Sequence, residues 1–203
     1  MNWSQKSKIS AILIFIWTLG LLSACSKTKN SNQWEEASID AGLSKEPIYK
    51  QLDKEREIFS MCEPQDSLMR KTSNVLYFSG KRIDLSETQG SKFNNCRAFF
   101  FKSDTLSIKI GFGTCFGGHG FIVNYKNKTF YTEAYLSTDF IIEGEVEPTH
   151  KIIYQKLTLD KMNYAVGDSL FGNIEFKSIE TDSEGGRTEH FGKGNFRTKV
   201  SEF

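Results

Sequence analysis

The segment Gly111-Phe-Gly-Thr-Cys115-Phe-Gly-Gly-His119-Gly120-Phe121 sets a thiol and an imidazole four residues apart among five glycines. A thiolate is the reactive form of cysteine, and a neighbouring base or positive charge generates it near neutral pH. With Cys115 as nucleophile and His119 as its base, the chain would be a thiol hydrolase. The surroundings argue against that chemistry. Helices form poorly in so glycine-rich a stretch, so nothing here would present the nucleophile at the start of a helix, and both groups fall in one connection. The simpler expectation is a tight or irregular β-connection in which glycine supplies positive φ. No catalytic residue is therefore assigned, and Cys115 with His119 stands as the alternative set.

Other chemistries find less to build on. The same glycines match neither a dinucleotide fold nor a P-loop, since no Lys-Ser/Thr and no helical pattern follow them. His119, His150 and His190 are far apart in sequence, and none sits in an H-x-x-x-H or C-x-x-C spacing, so no metal ligand and no cofactor is expected. Glu143, Glu145 and Glu147 would share one strand face, which reads as a solvated outer surface before it reads as a calcium site.

The start of the chain is more specific. Lys6 and Lys8 precede an apolar run from Ile9 to Leu22, followed by Ser23-Ala24-Cys25-Ser26. A positive end, an apolar stretch and small residues before a cleavage point make a secretory signal. Leu22-Ser23-Ala24-Cys25 resembles the lipobox of bacterial lipoproteins. The resemblance implies that the Cys25 thiol is diacylglycerylated, that the peptide is cut before it, and that the new amino terminus is acylated. One acyl chain holds a protein to a bilayer only marginally, whereas two or three hold it stably. Ser26 in place of an acidic residue after the Cys implies, by the same resemblance, passage to the outer membrane. The organisation expected is a signal peptide over 1–24, a polar tether over 25–33 and a single β-rich domain over 34–203.

Removing Lys6 and Lys8 with the signal takes the formal charge from +1 to −1. Such a domain lacks the basic excess that phosphate backbones demand, which excludes nucleic acid as an expected partner. An exported chain meets an oxidising compartment, so Cys62, Cys96 and Cys115 become candidates for pairing, with one left over. Cys96–Cys115 is the favoured pair, although a hairpin placing Cys96 opposite Gly111 leaves Cys115 about 13 Å further along the strand. Bridged Cα atoms lie within about 7 Å, so the glycine segment would have to fold back.

Along the domain, Ile48, Leu52, Ile58 and Phe59 are spaced for one helix over 46–61, with Pro47 in its first turn. The period then changes to two. Strand pairs are expected around Gly80, at 96–102 with 105–112 turning at Ser103-Asp104, and at 121–125 with 129–135 turning at Lys126-Asn127. Further strands follow over 142–146, 151–159, 170–176 and 194–200. About nine strands without alternating helices mean an antiparallel β-sandwich or partly open barrel. The segment from Tyr164 to Phe176 resembles a turn-and-strand unit of bacterial extracytoplasmic β-domains, with Gly167-Asp168 at the turn and Gly172 at a bulge or close contact. Together these features imply an envelope lipoprotein that meets the membrane through its anchor and acts as a non-catalytic binding module for an envelope protein or glycan.

Overall fold

Alternation of inward and outward side chains governs the domain. The computed structural model describes residues 34–57, 69–81, 95–101, 104–114, 116–139 and 146–202. Their strands are β1 (Glu35–Glu36), β2 (Ser38–Ile39), β3 (Arg56–Glu57), β4 (Met69–Arg70), β5 (Leu76–Gly80) and β6 (Asn95–Phe100). The longer ones follow as β7 (Leu106–Thr114), β8 (Gly117–Lys126), β9 (Thr129–Thr138), β10 (Thr149–Leu159), β11 (Ser169–Thr181) and β12 (Arg187–Ser201). Among the described residues, helix is confined to a 3-10 turn at Leu43–Lys45 and to α1 (Pro47–Leu52).

The main sheet runs β1-β9-β8-β7-β6-β12-β11-β10-β2, with β5 also on β12, and β3 pairs β4 separately. Its two ends are adjacent in the chain. β1 pairs β9 antiparallel and β2 pairs β10 in parallel, with only Ala37 between them. The sheet therefore curls into a partly open barrel whose seam is bridged by Glu35–Ile39. Backbone bonds from Ala37 to the Lys128 carbonyl (2.8 Å) and from Asp40 to the Leu159 carbonyl (2.9 Å) fasten it, and the Gln155 side chain accepts from the Thr132 amide across the same seam at 2.9 Å.

Inward positions make one apolar core. Ile108, Ile110, Phe121, Val123, Phe130, Leu159, Ile174, Phe176 and Phe196 are all completely shielded from solvent. Outside it, Tyr49 and Leu52 of α1 pack with Leu43 and Phe171, and the Tyr49 hydroxyl donates to the Gly172 carbonyl at 3.0 Å. Gly172 is where close packing needs it: a Cβ there would lie 2.2 Å from the Phe196 ring. Gly167, at φ 93°, makes the expected turn into β11.

Several local expectations shift. The helix spans six residues, not sixteen, because its buried stripe consists of Tyr49 and Leu52 alone. After it, the chain turns into β3, and Ile58 and Phe59 lie outside the described residues. The β6–β7 register places Asn95, not Cys96, opposite Gly111, and Cys96 opposite Ile110. A one-residue slip would turn Cys96 away from the core face that it shares with Ala98. The β8–β9 turn is Asn127-Lys128, with φ of 50° and 65°, as a two-residue hairpin turn of the primed kind requires. Gly80 ends β5, and its expected partner strand lies outside the described residues, as do residues 140–145 of the expected glutamate strand.

Candidate functional site

On either side of Cys115 the glycine-rich segment lies in paired strands. β7 and β8 pair from Leu106↔Tyr125 to Thr114↔Gly117. Gly117 takes φ 143°, and a Cβ on it would lie 2.0 Å from the Ser137 carbonyl oxygen. His119 lies in β8 opposite Phe112 on one side and Leu136 on the other. Cys115 lies outside the described residues, as do Cys25 and Cys62. The remaining thiol, Cys96, is free and fully buried, so the structure holds no Cys96–Cys115 bridge. Burial first, and then the charge of Glu57, push the Cys96 thiol well above its usual range, which keeps it protonated and unreactive.

Glu57 belongs to a chain of contacts that ties β3 to β6. Its carboxylate accepts from the Thr72 amide (2.9 Å) and from the Thr72 hydroxyl, while that hydroxyl accepts from the Cys96 amide at 2.8 Å. Burial outweighs these bonds and lifts the Glu57 carboxyl from 4.5 to about 7. The folded state therefore holds this proton more tightly than the unfolded chain does. The stabilisation is complete below pH 4.5 and is lost as pH rises to about 7. Discounted for residual solvent screening, it is on the order of 2 kcal/mol. Urea titrations of wild type and Glu57→Gln between pH 4.5 and 7.5 should show this falling component in wild type only; parallel curves would refute it.

A second polar group lies inside the barrel, at the end where β7 turns into β8. His150 on β10 is directly opposite Glu180 on β11. His190 on β12 is opposite Ser178 of β11 and Ser79 of β5, and Tyr77 is one inward position along. Twist brings these diagonal neighbours into line. The Tyr77 hydroxyl is 2.8 Å from His190 Nδ1, His190 Nε2 is 3.3 Å from Glu180 Oε2, and His150 Nε2 is 3.9 Å from the same oxygen. A carboxylate only accepts, so the neutral ring carries its proton on Nε2, facing Glu180, and takes the Tyr77 hydroxyl proton at Nδ1.

Burial sets the electrostatics of this group. The His190 side chain is 6% exposed, against 16% for His150 and 26% for Glu180. Burial lowers the His190 pKa below 6.5, more than the Glu180 charge raises it, and His150 lowers it further. Burial likewise pushes the Tyr77 phenol well above 10. His190 Nε2, His150 Nδ1, Ser178 Oγ and Thr132 Oγ1 are buried without an aligned hydrogen-bond partner. The sequence spacing of the histidines hides this convergence, which the strand registers produce. Among the described residues no group of three His, Cys, Asp or Glu side chains is arranged to hold a metal ion, and no helix is long and apolar enough to cross a membrane. No family model, curated protein or solved structure matches this chain.

Proposed function

We propose that this chain is a membrane-anchored envelope lipoprotein whose β-barrel domain acts as a non-catalytic binding module. The signal and lipobox ending at Cys25 support its placement: the acylated residue holds the domain at the cell envelope, at the outer membrane by the Ser26 criterion. The observation that carries the non-catalytic reading is the state of the described thiol. Cys96 is fully buried and held protonated, and the Tyr77 hydroxyl that meets His190 is itself buried in the core, out of reach of a substrate. Tethering such a module raises its effective concentration near an envelope protein or glycan. Leu136 (80% exposed) and Phe116 (73%) are large apolar side chains offered to solvent beside the glycine hairpin, and the Asp139 amide, donating to the Phe116 carbonyl at 3.1 Å, fixes the backbone there.

Two measurements test this reading. Expressed in an acylating bacterial host, the full chain should fractionate with membranes and carry the mass of its acyl groups at Cys25, and Cys25→Ala should lose both. A wild-type protein that stays soluble and unacylated would end the lipoprotein assignment. Iodoacetamide labelling of the folded domain at neutral pH should be slow at Cys96 and no faster than ordinary thiol at Cys115. Rapid labelling of Cys115 that His119→Ala abolishes would favour the hydrolase instead.

A further inference from the structure

Tyr77, His150, Glu180 and His190 come from four different strands and meet at one end of the barrel. We propose that this buried chain of side chains is an acid-sensitive latch: near neutral pH it fastens β5, β10, β11 and β12 together, and it releases them as the solution acidifies. The inference does not depend on the lipid anchor or on the partner.

The geometry explains why an added proton has no comfortable place. In the neutral latch His190 Nδ1 is committed to the Tyr77 hydroxyl, while Nε2–H faces Glu180 Oε2 at 3.3 Å without an aligned hydrogen bond. A proton arriving from solvent must go to Nδ1. That nitrogen then donates, so the Tyr77 hydroxyl must give up its bond to the ring and rotate, with Ser79 as its remaining side-chain partner. The new charge sits in a ring stacked on Tyr77 at 6.1 Å, and Tyr77 in turn packs against Phe121 at 5.6 Å. Glu180 on β11 attracts the charge. His150 on β10, 6.5 Å away between ring centroids, opposes it. The residues opposite on β11 and β5, Ser178 and Ser79, are uncharged. Tyr77 itself faces Glu180, Ser79 and Tyr135, and Glu189, next to His190 in the chain, pairs with Lys177 at 3.1 Å.

The sign follows from linkage. A buried histidine that resists protonation stabilises the closed form fully above pH 6.5, and that contribution is lost as pH falls below 6.5 toward its folded pKa. Over that interval local opening should grow about tenfold per pH unit. Glu57 acts in the opposite direction over overlapping pH, so Glu57→Gln is the appropriate background.

The test is amide exchange, corrected for intrinsic rates, at pH 7.5 and 5.5. Peptides covering Leu76–Gly80 and Arg187–Lys193 should exchange several-fold faster at pH 5.5, while Ile108–Ile110 should not change. His190→Asn, which keeps an acceptor for Tyr77 but takes up no proton, should remove the difference; an equal response in wild type and His190→Asn would overturn the latch. A second measurement needs no variant to fold. The His190 ring signal of wild type, followed by NMR, should titrate below pH 6.5, and a midpoint at or above 6.5 would equally overturn it.

Discussion

Phe121→Ala should destabilise the domain by about 4 kcal/mol, the usual cost of deleting a fully buried phenyl ring. The ring is completely shielded and packs against Phe176 at 4.6 Å and Tyr77 at 5.6 Å, so it joins the apolar core to the polar end of the barrel. The neighbouring strand has made room for these rings: a Cβ on Gly192 would lie 2.4 Å from Phe176 and 3.1 Å from Phe121. The surrounding strands are hydrogen-bonded on both sides and cannot collapse into the space. Chemical unfolding monitored by near-ultraviolet circular dichroism checks this, with Phe121→Leu expected to lose only about 1 kcal/mol. A midpoint in Phe121→Ala equal to that of wild type would show that the packed core is not where the stability resides.

Gly120→Ala should cost about 3 kcal/mol, although it adds a single methyl group. Its Cβ would stand 2.2 Å from the Ile110 carbonyl oxygen and 2.6 Å from the Gly111 Cα, and these are backbone atoms of a paired strand with no rotamer to change. Gly111 is equally crowded from the other side, where a Cβ would meet the His119 carbonyl oxygen at 2.3 Å and the Tyr135 hydroxyl at 2.5 Å. The two strands touch at this glycine pair, and Tyr135 covers it with Lys109 Nζ 4.2 Å above its ring. Gly185→Ala is the useful comparison: its φ is positive but nothing lies within 4 Å of its Cβ, so it should lose only about 1 kcal/mol. Thermal unfolding of the two variants side by side decides the matter, and equal losses would show that φ rather than crowding sets the cost.

The fold was legible where burial alternates cleanly. Leu106, Ile108 and Ile110, then Phe121, Val123 and Tyr125, all face the core as their spacing requires. Turn chemistry was legible to within a residue: the β8–β9 turn falls on Asn127-Lys128, one position later than the sequence suggested. The polar cluster was only half legible. Carrying the parity of Leu170, Ile174 and Phe176 two steps further places Ser178 and Glu180 on the inward face, an anomaly visible in sequence. That His150 and His190 would converge on Glu180 depends on the β10–β11 and β11–β12 registers, which involve a bulge between Ile152 and Tyr154. Local pattern carries no information about that offset. The glycine segment was legible as a β-connection with glycines at positive φ, which Gly117 and Gly120 adopt, while the close approach of the paired strands at Gly111 and Gly120 was not.

The seam bridge at Glu35–Ile39 imposes an order on assembly. These residues emerge early in synthesis, yet their strand partners are Thr129–Phe130 and Thr158–Leu159. No part of the bridge can be made until about ninety further residues are available, and both sets of partners must be present before the curled sheet can be joined. Contacts so distant in sequence carry a large loop-closure entropy and slow folding accordingly. Until they form, β9 and β10 present unpaired edges, the interval in which such a chain is most exposed to association with its own copies.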